Sequence, residues 1–234
     1  MKLKLYGAPL SPFVRKARVV LAEKNITYDY EPRVSPAHIP EGYEKIHPLK
    51  KIPALVVEDA NAATPLADST VIAQFLEKIS PSPRLYPEDP LAFGQVLWIE
   101  EYADTLISKT CTFDIFGAVF FSKMAGDEPD LARVKDGFKG MQDILVYLED
   151  MLGDNDWLVG DAFSMADLAV VTHFFNVEHA GYQLAATDSA TIHALKQRVE
   201  ARPSVAEIFA GEKKTLAKMG FQAPDLAAVR DSIS

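Results

Sequence analysis

Residues 2 to 6, KLKLY, alternate polar and apolar with period two, which predicts a strand that stops at Gly7 and Pro9. Ser11 followed by Pro12 is a helix start, with serine as N-cap and proline at the first helical position. Val14, Ala17, Val20 and Leu21 then recur at helical spacing, and the helix should end near Asn25. ITYDYE, from Ile26, reads as a second strand, and a loop rich in Pro, His and Glu runs on to Pro48. PALVVED, from Pro53, predicts a third strand and TPLAD, from Thr64, a short fourth. From Ser69 to Ile79 the pattern is helical again, with Val71, Ile72, Phe75, Leu76 and Ile79 as its apolar stripe.

Residues 80 to 90 contain Pro81, Pro83, Pro87 and Pro90, which neither a helix interior nor a central strand tolerates. The expected organisation is a first domain over 1–80, a linker over 81–90 and a second domain over 91–234. Every convincing element beyond the linker is helical. Val134, Phe138, Met141, Leu145, Leu148 and Leu152 step by four, three, four, three and four, which makes one buried stripe. Residues 165 to 177, MADLAVVTHFFNV, are apolar nearly all round, as expected of a helix at the centre of a bundle. Its entry carries Ser164 as N-cap, Asp167 three residues on, and Phe163 placed to pack on Leu168.

Charge and composition narrow the function classes. Net charge is −9, from 24 Lys and Arg against 33 Asp and Glu, so nucleic acid and anionic lipid are not expected as partners. No apolar run approaches the ~20 residues of a membrane span, and the N-terminus lacks a secretory apolar stretch, so the expected location is the cytoplasm. A single cysteine, Cys111, rules out an internal disulfide and multi-cysteine metal sites, and fits a reducing compartment. Against the acidic whole, Arg15, Lys16, Arg18, Arg33, His38, Lys45, His47, Lys50 and Lys51 gather near the front. They form either a solvated basic face or a pocket for an anion.

With these elements in place, the chain resembles the glutathione S-transferase family, of the cytosolic, bacterial, serine-dependent type. The resemblance rests on SPFVRK at the first helix, HPLKKIPAL before the third strand, ADS before the next helix, GDAFSMADL at the central helix and ARPSVAEIF near the end. It implies a thioredoxin-like α/β N-terminal domain, an all-α C-terminal domain carrying the electrophile site and part of a dimer interface, and a homodimer. It also implies glutathione as co-substrate, held as thiolate for attack on a hydrophobic electrophile in conjugation, displacement or peroxide reduction. Thiolate formation needs stabilisation of negative sulfur, since a free thiol of pKa ≈ 8.5 is only slightly ionised at neutral pH. A hydroxyl at a helix N-terminus, helped by the helix dipole, can supply it, and Ser11 is so placed.

By the same resemblance Pro53 is a cis-proline that leaves the backbone of Ile52 to pair with the peptide of glutathione, and Lys51 and His38 reach its glycyl carboxylate. Asp68 and Ser69 take the γ-glutamyl ammonium and carboxylate. Arg15 either orients the site or braces the domains. His47-Pro48 and Lys50 stand where the family often has Asn-Pro and Gly, which leaves the loop conformation and the role of His47 open. Candidates for the electrophile pocket are Leu10, Ser108, Cys111, Thr112 and Phe116, with Phe113 beside them; Phe113 and Phe116 equally suit a core, and a lone cysteine on a helix is more often a small hydrophobe. Tyr6 reads as structural, and Trp98 and Trp157 as core or interface aromatics. His173 and His179 are six residues apart, a helical rotation of ~600° that separates them in azimuth, so no metal is expected. The alternative to an enzyme is a glutathione-fold binding or scaffold protein without turnover. The tail from Gln222 onward either folds over the cleft or frays.

Overall fold

The computed structural model describes residues 1 to 60 and 62 to 233; Asn61, and Ser234 at the end of the tail, lie outside the described residues. The chain divides into two units, Met1–Leu85 and Tyr86–Ser234, and the division falls inside the proline-rich segment.

In the first unit β1 (Lys2–Tyr6), β2 (Asp29–Glu31), β3 (Ala54–Glu58) and β4 (Ala63–Ala67) form one sheet in the order β2-β1-β3-β4. The pair β1–β2 is parallel, and the other two pairs are antiparallel. The period-two pattern of β1 turns Leu3 and Leu5 inward. Helix α1 (Pro12–Glu23) starts where expected, and Val14, Ala17, Val20 and Leu21 are all buried. Of ITYDYE only the last three residues pair as a strand.

Helix α2 (Ser69–Ile79) corrects the expected stripe. Its buried face is Ser69, Ile72, Ala73 and Leu76, whereas Val71 and Ile79 are exposed and Phe75 is half-buried. Val71 lies ~100° round the helix from Ile72 and faces outward. The small side chains of Ser69 and Ala73, which hydrophobicity counting passes over, complete the packed side.

Lys24, the C-cap of α1, fastens the proline-rich segment to this unit. Its buried ammonium donates to the carbonyls of Ser80 (2.7 Å) and Pro83 (2.9 Å) and pairs with the Glu77 carboxylate at 2.7 Å. Glu77 in turn accepts from the Leu85 amide at 3.3 Å. All three ammonium protons thus have acceptors, the condition for burying such a charge.

The second unit contains α3 (Pro90–Tyr102), a π-helical segment (Ala103–Gly117), α4 (Ala118–Ala125), α5 (Leu131–Leu152), α6 (Met165–His179), α7 (Ala190–Glu200), α8 (Pro203–Lys218) and α9 (Ala227–Asp231). The stripe on α5 is buried throughout, and α6 is buried on every side as far as Val177. Helices α5 and α6 both pack against the π-helical segment. A π-helix of this length is rare. Thr105 marks its beginning, with its hydroxyl donating back to the Glu101 carbonyl at 2.6 Å, a local bond that competes with regular helix pairing. The tail does not fray: Leu226 is buried, and Arg230 on α9 pairs with Asp188 at 3.1 Å. Among the described residues no helix is long and apolar enough to cross a membrane.

The entry to α6 carries the expected capping box. The Ala166 amide donates to Ser164 Oγ at 3.3 Å, and Asp167 accepts from the Ser164 amide at 2.8 Å. The other Asp167 oxygen accepts from the Leu158 amide at 2.8 Å. Burial outweighs these hydrogen bonds and raises the Asp167 pKa from 3.8 to about 6.

Two outcomes are expected. Lys24→Met, which keeps the apolar stem but strands Glu77 and two carbonyls, should destabilise the fold by roughly 3 kcal/mol. An unchanged urea midpoint would remove Lys24 from its anchoring role. Asp167 binds its proton more tightly folded than unfolded, so its contribution to stability is full below the unfolded pKa and is lost as pH rises through the folded one. The stability lead of wild type over Asp167→Asn should narrow by roughly 3 kcal/mol between pH 4 and pH 7, on ~1.36 kcal/mol per pKa unit. A pH-independent gap would contradict this.

Candidate functional site

The sheet register brings the dispersed candidates of the first unit to one end. Tyr6, the last residue of β1, pairs with Glu31 on one side and with Ala54 on the other. Ala54 pairs in turn with Ala67, the last residue of β4. Three stretches therefore emerge side by side: Gly7 to Ser11 after β1, Lys51 to Pro53 before β3, and Asp68 with Ser69 after β4.

Gly7 permits this convergence. A Cβ there would collide with Val14 Cγ2 and lie 3.3 Å from Ile52 Cβ, and φ is +148°. The backbone passes between α1 and the Ile52–Pro53 turn through a gap that no side chain fits. Its carbonyl accepts from the Tyr30 hydroxyl at 2.8 Å and its amide donates to Glu31 at 3.1 Å, so β2 holds the loop from the other side.

Ser11 is the N-cap of α1 and is half-buried. Its Oγ accepts from the Val14 amide at 3.4 Å, a long bond that uses a lone pair and leaves the hydroxyl proton available for donation. Arg15 is fully buried, and its amide donates to the Ser11 carbonyl at 2.9 Å. Leu10, next to Ser11, is buried.

The Ile52–Pro53 peptide bond is cis, and the Lys51 side chain is exposed. Lys50 has φ +53°, so the chain adopts there the left-handed conformation that glycine takes most readily. Asp68 is exposed with φ +81° and ψ 138°, another positive-φ backbone at a non-glycine residue, and its Oδ1 accepts from the amides of Thr70 (2.8 Å) and Val71 (3.3 Å). Strain of this kind gathers at ligand-binding positions. Ser69 is buried beneath it. His38 stands apart, exposed on a tight turn whose backbone pairs Ser35 with His38. His47 is 6% exposed, and burial, then the nearby Lys51 charge, lower its pKa, while Asp68 opposes.

The remaining pocket candidates lie in the second unit and are all buried: Ser108, Cys111, Thr112 and Phe116. Thr112 is bonded through its hydroxyl to His173 Nδ1 of α6 at 2.9 Å, and the Cys111 thiol is enclosed, with its pKa raised by burial and then by Asp114. Both side chains face the helical bundle rather than an open wall. Phe113 is exposed, and Phe116 stacks on Phe120 with ring centroids 5.0 Å apart. His173 lies 3.8 Å from Asp104 and His179 lies 2.9 Å from Glu212, so the two histidines have separate partners. Sequence reasoning missed Gly7 and Tyr43, whose contacts join residues far apart in the chain; the glycine closing a strand was the one local sign.

The family model described as the glutathione S-transferase N-terminal domain matches residues 5–84, and that of the C-terminal domain matches residues 114–211. The uncharacterized GST-like protein YibF of Escherichia coli is 36% identical over 105 residues, which span 45% of this chain and about half (50%) of that relative. FtsZ-localized protein A of Caulobacter vibrioides is 25% identical over 182 residues, 76% of this chain and 78% of the relative. The solved structure of FzlA from C. crescentus superposes with a TM-score of 0.82 at 22% identity, covering 90% of this chain and 92% of that one. Sheet, helical unit and family models agree: the chain belongs to the glutathione S-transferase family, with a thioredoxin-like N-terminal domain and an all-helical C-terminal one.

Proposed function

We propose that the protein is a glutathione transferase in which Ser11 stabilises the thiolate of glutathione for attack on a small hydrophobic electrophile. The observation that carries this reading is the row Tyr6, Ala54 and Ala67, which gathers a capping serine, a cis-proline turn and a strained Asp-Ser pair at one end of the sheet. An extended tripeptide suits that end. The Ile52 backbone meets its central residue, Lys51 attracts the glycyl carboxylate with His38 as an outlying second contact, and Asp68 and Ser69 take the γ-glutamyl end. The hydroxyl proton of Ser11, with the positive end of α1, faces the sulfur. Arg15 supports the site from beneath. Ser108, Cys111, Thr112 and Phe116 remain the proposed surroundings of the electrophile in the helical unit, with Cys111 and Thr112 acting from behind the surface, and Leu10 stays a candidate beside Ser11 in the first unit. The proposed assembly is a cytoplasmic homodimer without metal, and a natural role in detoxification follows from the chemistry.

A thiol chemistry of the protein's own is disfavoured, since the one cysteine is enclosed and resists ionisation. The second reading, a scaffold without turnover, draws on the relative named for localisation with FtsZ rather than for a reaction.

The two readings separate in one set of experiments. The protein should be retained on immobilised glutathione, released by free glutathione, and conjugate a generic aryl halide. Ser11→Ala should lower that turnover by roughly 10- to 100-fold, the worth of one charge-assisted hydrogen bond, while the variant stays folded. Unchanged turnover would sink the thiolate role, and binding without any turnover would favour the scaffold.

A further inference from the structure

The turn that carries Lys51 and Ile52 is held by a small core of its own. Val34, Tyr43 and Ala54 form a buried cluster, with Tyr6, Ile39, Ile46 and Ile52 packed against it. Tyr43 is at its centre, 1% exposed, with its ring 6.2 Å from that of Tyr6 and its pKa raised to about 12 by burial, then by Tyr6.

The polar groups of Tyr43 bind the loop on both sides. Its hydroxyl donates to the Lys51 carbonyl at 2.9 Å. Its own carbonyl accepts from the amides of Ile46 (2.9 Å) and His47 (2.8 Å). His47 continues the chain of bonds: Nδ1 accepts from the Leu49 amide at 3.3 Å, and its carbonyl accepts from the Lys50 amide at 2.8 Å. An accepting Nδ1 places the ring proton on Nε2 and requires a neutral imidazole. Lys50 takes its left-handed backbone inside this frame, and Lys51 leaves it directly into the cis turn.

We infer that Tyr43 and His47 are positioning residues that clamp the loop from Pro48 to Lys51, so that the Lys51 ammonium and the Ile52 backbone are set for glutathione before it arrives. The inference rests on the glutathione reading. Neither residue is required to touch the thiol, so the clamp acts on binding alone. A loop ordered in advance spares the complex the entropy of ordering it on binding.

The test is steady-state kinetics with glutathione varied against a fixed aryl halide, alongside calorimetric titration with glutathione. Tyr43→Phe keeps the ring in its cluster and removes only the bond to Lys51. It should raise KM and Kd for glutathione roughly three- to tenfold, the value of one neutral hydrogen bond, with kcat at saturating glutathione unchanged. His47→Leu should do the same. His47→Asn should restore affinity, because an asparagine side-chain oxygen accepts from an amide two residues on. If His47→Leu does not fold, Tyr43→Phe and His47→Asn carry the test. A fall in kcat with KM unmoved, affinity equal to wild type in Tyr43→Phe, or an Asn variant as weak as the Leu variant would each overturn the clamp. Wild type that binds glutathione beside variants that match it removes the clamp only. Wild type that does not bind glutathione removes both the clamp and the function it rests on.

Discussion

The site depends first on a missing atom. At Gly7 the chain leaves β1 and slips between Val14 on α1 and Ile52 before the cis turn, where any Cβ would strike the valine. Were that gap wider, α1 would sit farther from the sheet end, and its N-terminus, with Ser11, would move away from Ile52 and Pro53. The close approach therefore couples two demands that are separate in sequence: a helix start that gathers positive potential, and a strand entered through the Ile52–Pro53 cis turn. Both neighbours are branched, Val14 and Ile52, so the crossing is filled by stiff side chains with little freedom to adjust.

The second dependence is on register. Tyr6, Ala54 and Ala67 stand in one row because β1, β3 and β4 are paired without offset there. A slip of one residue would send Leu3 and Leu5 to the opposite face, so the buried side of the sheet pins the row as firmly as the backbone bonds do. Core packing and site assembly are in this respect one constraint. Asp68 follows at once, with its backbone forced to φ +81° so that the chain turns from β4 into α2 within a single residue.

How much of this was legible in sequence depended on range. Ser11-Pro12, the stripe on α5 and the Ser164–Asp167 box are local statements, and local physics decides them. The face of α2 was misread because Ser69 and Ala73 pack as well as larger residues once a neighbour is close. Lys24 could not be read at all, since its acceptors at Ser80 and Pro83 lie more than fifty residues away. The π-helical segment escaped for a different reason. Its buried positions are Ala103, Ile107 with Ser108, Thr110 to Thr112 and Ile115 to Gly117, clustered at intervals of about four residues, while Thr105, Lys109 and Phe113 stay open at the same interval. That period exceeds the 3.6 of an α-helix, so a search tuned to the α-helix sees no stripe there.

The role proposed for Ser11 would let one group serve fold and chemistry without conflict. As a cap it accepts the Val14 amide with an oxygen lone pair, and the 3.4 Å separation makes this a modest contribution to the helix. As a thiolate donor it would use its proton. The two roles draw on different parts of the hydroxyl, so a substitution that preserves an acceptor but not an O–H, such as asparagine, would keep much of the cap and lose the donor geometry. Stability and turnover at this position should accordingly vary independently across substitutions. If they fell in proportion, the hydroxyl would be acting on activity through the helix rather than directly on the sulfur.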